Sequence, residues 1–201
     1  MYELEKFAVD GLTVRIIHDE DAQNPRRDYD HASTMACWHR RYRLGDEEPD
    51  CTPDEFFLRL MQDREFGRNR DVPDSISPEH VMRYIDKHYH VLPLYLLDHS
   101  GLSISTGSFS DPWDSGQVGW IYMSKETAAK EGITDPLAYM RSEVGEYDQY
   151  LTGDVWGYQI EDENGVTLDS CWGFYGQDYC ESEARDAAAA CAEQRAHDFT
   201  L

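Results

Sequence analysis

Positive charge is what this sequence has least of. Eighteen Lys and Arg stand against 40 Asp and Glu, a formal net charge of −22, and only Lys6, Lys87, Lys125 and Lys130 are lysines. A field of that sign repels nucleic acid and anionic membrane and draws basic partners inward. Neither direct nucleic-acid binding nor a membrane surface is therefore expected. Long apolar runs are also missing: nothing approaches the roughly 18 uninterrupted residues that cross a bilayer. The opening residues Met1 to Lys6 lack the basic and apolar regions of a signal peptide, so the expected location is the cytoplasm. Cysteine is sparse and odd in number (Cys37, Cys51, Cys171, Cys180, Cys191), with no CxxC spacing. That pattern argues against a disulfide framework or a structural zinc site and for reduced thiols. The Ser105-Thr106-Gly107-Ser108 run lacks the Lys and following helix of a phosphate loop. There is no repeat, low-complexity run or Gly/Ser linker.

What is present is aromatic bulk. Five Trp, thirteen Tyr and seven Phe bring the aromatic fraction to 12%, far more than a disordered acidic chain carries. At 201 residues the chain is expected to fold as a single domain, residues 1–201. Tyr2 to Val9 and Leu12 to Ile17 flank Asp10-Gly11, a favoured hairpin turn. Residues 19–50 read as polar and irregular. Thr52-Pro53-Asp54-Glu55, Ser77-Pro78-Glu79 and Asp135-Pro136 are helix starts, because each places a capping oxygen just ahead of a Pro at the first helical position. Asp178-Tyr179-Cys180-Glu181 reads as a capping box. Helices are expected near 53–62, 78–89, 136–151 and 180–197. Leu137, Met140, Val144, Tyr147 and Leu151 give the third its buried stripe. Strands are expected at 91–98, 102–109, 117–123, 154–161 and 166–175. Short turns between most of them imply an α+β fold, a mainly antiparallel sheet of five or more strands with about four helices packed on it.

Chemistry-bearing constellations are few. Cys37-Trp38-His39-Arg40-Arg41 could pair a thiolate with an imidazole, yet nothing nearby orients the His, and a packed Cys beside a surface His explains it better. Arg40, Arg41 and Arg43 are expected to pair with the carboxylates of 46–50. His88, His90, Asp98 and His99 suggest metal ligands without a motif to join them. The loop Ser110 to Gly116 holds two carboxylates, too few for calcium, and reads as a turn capped by its own Asp. No catalytic residue, metal or cofactor is expected.

The acidic surface is the stronger feature. Residues 1–100 carry a balance of −8 and residues 101–201 one of −14; from Ser142 onward only Arg185 and Arg195 oppose 14 carboxylates. Glu143, Glu146, Asp148, Asp154, Glu161, Asp162 and Glu163 are expected to form an exposed, poorly paired face. An ordinary solvated helix alternates signs at i, i+4, and this one does not.

Three groups of segments carry a resemblance. They are Asn24-Pro25-Arg26 with Thr34 to Asp46, Asp98 to Gly107 with Gly119-Trp120-Ile121-Tyr122, and Glu146 to Asp154 with Ser170 to Gly176. Together they resemble a family of functionally uncharacterised proteins carried by phages and mobile elements of Gram-positive bacteria. The resemblance implies a genomic setting and no activity. The reading that follows is an acidic accessory protein that binds a basic host protein, one that itself binds nucleic acid, by imitating it. One alternative is a small enzyme or nucleotide-binding protein using Cys37, His39 and Arg40. The other is a structural or regulatory protein whose acidity is adaptation.

Overall fold

A computed structural model describes residues 3–66 and 76–198. The expected start of the first strand at Tyr2 lies outside them. The mixed α+β class holds, but among the described residues the strands divide into two four-stranded antiparallel sheets in place of the single sheet expected, and six helices accompany them. The chain falls into two compact units, Met1–Pro25 with Glu146–Leu201, and Arg26–Gly145. No helix among the described residues is long and apolar enough to cross a membrane.

In the first unit the sheet runs in the order β1 (Glu3–Val9), β2 (Leu12–His18), β7 (Val155–Glu161) and β8 (Thr167–Tyr175). The β1–β2 turn has Asp10 and Gly11 both at positive φ, 47° and 84°. Those are the angles a two-residue turn needs to match strand twist, and Asp and Gly are the residues that tolerate them. Helix α6 (Gln177–Asp198) packs on one face of this sheet. Its Cys180, Ala184 and Ala188, one helical turn apart, are fully buried against Leu12, Val14, Ile16, Trp156, Tyr158 and Ile160. Small side chains let the helix sit close to the sheet, so alanine serves here as a packing surface. The helix begins at Gln177, so Asp178 lies in its first turn instead of capping it, and the Cys180 N–H reaches the Gly176 carbonyl at 3.2 Å.

In the second unit the sheet order is β3 (Thr34–Cys37), β6 (Ser115–Ser124), β4 (Tyr89–Asp98) and β5 (Leu102–Ser105). Helices α2 (Pro53–Phe66) and α3 (Pro78–His88) build a core with Met61, Val81, Tyr84, Ile85 and Tyr89. A large apolar side chain taken fully out of water contributes about 1.5–3 kcal/mol. Ser77 accepts from the His80 N–H and caps α3 as its sequence indicates. The Glu55 carboxylate accepts from the Thr52 N–H at 3.3 Å, the return half of a capping box. Three elements escaped the sequence reading: α1 (Pro25–Asp28), β3, and α4 (Lys125–Lys130), which Ser124 caps. All are six residues or shorter, too brief for periodicity to register. The strand expected at 102–109 stops at Ser105, whose hydroxyl accepts from the Gly107 N–H and turns the chain. Helix α5 (Pro136–Thr152) starts where Asp135 accepts the Ala138 N–H at 3.0 Å. It ends at Gly153, φ 77°, with Asp154 N–H bonded to the Gln149 carbonyl.

Candidate functional site

The seven carboxylates expected as one exposed, unpaired face are not arranged that way. Only Glu163 is exposed; Glu146, Asp148, Asp154, Glu161 and Asp162 are half-buried. Glu143 is 8% exposed. Glu161 pairs with Arg15 at 3.0 Å, while Arg195 reaches Asp162 at 3.7 Å and Glu163 at 3.3 Å. Asp154 accepts from the Trp156 indole at 2.6 Å. Asp154 and the 161–163 group sit at opposite ends of β7, whose seven residues span about 20 Å. Arg15 and Arg195 are thus spent on these carboxylates, which a count of charges along the chain could not show.

Glu143 belongs to a buried polar cluster in the second unit. Arg26, Ser33 and Glu143 are the buried polar side chains among the described residues, and they converge. The Arg26 Nε donates to Asp46 Oδ1 at 2.9 Å, its Nη1 to Glu143 Oε2 at 3.2 Å and its Nη2 to the Ser33 carbonyl at 3.0 Å. Arg26 Nη2 also donates to Asp46 Oδ2, and the Ser33 hydroxyl donates to Glu143. His31 Nδ1 lies 3.3 Å from Glu143 Oε1. A guanidinium has five donors in a rigid fork, so one buried Arg can hold two carboxylates and a carbonyl together. The physical role is to pin the irregular 26–46 segment to α5. Glu143 flanks the Met140–Val144–Tyr147 stripe on that helix, and Arg26 makes its burial tolerable. No local signal marks this cluster, since its members lie up to 117 positions apart.

The Cys37–His39–Arg40 segment does not assemble a nucleophile. Cys37 ends β3 in the interior, and burial first, then the Asp46 charge, push its thiol up to about 12. A thiol that keeps its proton is a poor nucleophile. His39 instead accepts the N–H groups of Arg41 at 3.3 Å and Tyr42 at 3.1 Å and stacks on the Tyr42 ring. Arg40 is exposed. The arginines do not pair with residues 46–50 as expected: Arg41 bridges to Asp98, and it is Arg26 and Arg59 that meet Asp46 and Asp50. His88 leans on the Tyr84 ring, burial lowers the pKa of His90, and neither belongs to a group of three or more potential metal ligands among the described residues.

A concave site in the second unit gathers acidic and aromatic side chains. A cleft of about 630 Å³ opens beside α2, lined by Glu47, Glu48, Asp50 and Asp63 with Arg59 as the opposing cation, and by Phe56, Leu60 and Tyr122. Phe56 and Tyr122 of its lining belong to an aromatic cluster. Phe56 is parallel to Trp120 at 5.6 Å and edge-on to Trp38 at 5.3 Å and Tyr122 at 5.5 Å. The Trp38 indole is fixed by the Cys51 carbonyl at 2.7 Å. The Tyr122 hydroxyl donates to Glu47 at 2.9 Å, and burial followed by that carboxylate raises its pKa, so it stays a donor. Arg59 is engaged with Asp50 at 2.7 Å. The cleft's four carboxylates outnumber its single cation, so its local charge is negative beside an aromatic wall. The sequence reading missed this cleft, although Glu47, Glu48 and Asp50 stand together in the chain, because its aromatic wall comes from α2 and β6.

No family model, curated protein or solved structure matches the chain.

Proposed function

We propose that this is an acidic accessory protein of a phage or mobile element that binds a basic host protein, and that the cleft beside α2 is where it grips. The observation that carries the reading is the cleft itself: four carboxylates, one arginine already paired, and Phe56 and Tyr122 in its wall. An Arg or Lys side chain of the partner satisfies all three features at once. The net charge of −22 supplies the long-range attraction, with Glu146, Asp148, Asp154, Glu161, Asp162 and Glu163 contributing to the field and Glu143 serving the interior. The partner class is a nucleic-acid-binding defence or regulatory protein, whose basic surface is built for phosphates at about one charge per 1.7 Å of duplex axis.

The test is capture from a host lysate by the wild-type chain and by two double variants, at low and high salt. Glu48→Lys with Asp63→Lys reverses charge inside the cleft, and both residues are exposed, so folding should survive. Glu146→Lys with Glu163→Lys reverses the same amount of charge at residues that do not line it. The cleft variant should lose the partner. The second variant should only slow association, because charges that make no contact act through steering. Capture should fall as salt rises, since screening shortens the field to about 8 Å at physiological ionic strength. Equal capture by the cleft variant sinks the assignment of the site, and salt-independent capture sinks the electrostatic reading.

A further inference from the structure

Away from the cleft, one side-chain group combines different donor types from separate segments. His99 sits on the β4–β5 turn, and Asp111 and Asp114 on the loop leading into β6. Each offers one ligand atom, and these atoms all lie within 4.8 Å of one another. Among the described residues this is the group of three or more His, Cys, Asp or Glu so arranged. Two carboxylates alone would be an ordinary feature of so acidic a surface. The imidazole changes the chemistry, because a nitrogen donor selects first-row transition ions over magnesium and calcium.

The scaffold around the three is specific. The Asp98 N–H donates to the Asp114 carbonyl at 2.8 Å, which ties the loop to the end of β4 beside His99. Asp111 Oδ1 accepts the N–H groups of Trp113 at 2.8 Å and Asp114 at 3.1 Å. That fixes the Asp111 carboxylate, with a second oxygen to offer. Asp114 Oδ2 lies 2.6 Å from His99 Nδ1. The neighbouring Asp98 is taken by Arg41, so three donors face the site. Ligands of a tetrahedral ion at a bond length near 2.1 Å are about 3.4 Å apart, so the exposed His99 and Asp114 side chains are the ones that must shift toward the fixed Asp111 carboxylate to hold one. Two carboxylates balance a divalent charge and water completes the shell.

We propose that His99, Asp111 and Asp114 form a surface site for a divalent transition metal, zinc being the probe ion. The site lies apart from the cleft and does not depend on it. Trp113, 92% exposed between two of the ligands, reports on it.

The experiment is a zinc titration of the full chain at pH 8 in physiological salt, followed by calorimetry and by tryptophan emission, with calcium and magnesium as competitors. One equivalent should bind, and a tenfold excess of calcium or magnesium should not displace it. His99→Ala should weaken binding at least tenfold, and Asp114→Asn should weaken it too, with circular dichroism unchanged because these positions are exposed. Trp113→Phe should keep the binding and lose the emission change, which places the ion on this loop. Zinc affinity unchanged in His99→Ala, displacement by calcium as readily as by zinc, or the absence of a stoichiometric step would each overturn the proposal. Those outcomes describe a diffuse cloud of counterions around an acidic surface.

Discussion

Arg26 and Glu143 stand 117 positions apart in the chain, and the guanidinium of one meets the carboxylate of the other at 3.2 Å in the interior of one unit. The same arginine holds Asp46 through two nitrogens. Removing it leaves carboxylates in a partly or fully dry place without a counter-charge. We expect Arg26→Met to cost about 3–5 kcal/mol, the usual penalty for breaking a buried pair by deleting one partner. Glu143→Gln keeps the shape and an acceptor and should cost less, about 1–3 kcal/mol. Urea unfolding checks both, and an Arg26→Met variant as stable as the wild type would show that the cluster contributes nothing.

Gly119 tests the second sheet. It pairs with Cys37 across β3 and β6, and a Cβ there would lie 1.9 Å from the Ala36 carbonyl oxygen. Backbone cannot rotate aside as a side chain can. Gly119→Ala should therefore destabilise by more than about 2 kcal/mol, near the upper part of the overpacking range. Gly116→Ala is the control on the same strand, because nothing lies within 4 Å of its added carbon. Thermal melts of the two variants should differ clearly; equal melting temperatures would contradict the close β3–β6 approach.

The cysteines should react in a fixed order. Cys171 is exposed, Cys51 and Cys191 are half-buried, and Cys37 and Cys180 are buried. Burial first pushes both buried thiols up to about 12, with nearby negative charge adding to it. At pH 8 a disulfide reagent should label Cys171 quickly, Cys51 and Cys191 slowly, and Cys37 and Cys180 only in denaturant, where all five titrate. Labelling followed by peptide mapping decides it, and rapid modification of Cys37 in the folded chain would revive a nucleophilic role.

Asp162 gives the β7–β8 hairpin an acid limit. Its Oδ1 accepts the N–H groups of Asn164 and Val166, each at 2.9 Å. Those bonds, Val166 first, lower its pKa below the ordinary 3.8. A lowered pKa means the charged form favours the folded hairpin. Its contribution is complete above the unfolded value and disappears as pH falls through the folded one. Amide exchange at Val166 should therefore quicken as pH drops below about 4 relative to intrinsic rates. Asp162→Asn keeps the oxygen acceptor without the charge, so its hairpin should respond less to acid. Identical acid responses would remove Asp162 as the cause.

Much of the local structure was legible. Ser77, Asp135 and the Glu55 carboxylate act at the helix starts their motifs announce, and Asp10-Gly11 makes the turn its residues favour. These signals work because a cap or a two-residue turn is settled by atoms within four positions of one another. The strands were mostly recognised, while their partners were not. Alternation along β2 says that one face is buried; it does not say that Ile16 lies across from Tyr158. For the same reason a single sheet was expected where two exist.

The acidic face shows the limit most sharply. Composition established a surplus of carboxylates and therefore a protein that attracts cations, and no folding pattern could alter that sum. Which carboxylates remain available is another matter. Arg15 and Arg195 were spent on Glu161, Asp162 and Glu163, Arg26 drew Glu143 inside, and α2 and β6 brought Phe56 and Tyr122 to the cleft that Glu47 and Asp50 line. Charge is additive along a chain and can be read from it. Pairing depends on distances of a few ångströms between residues far apart in the chain, and only tertiary packing decides those.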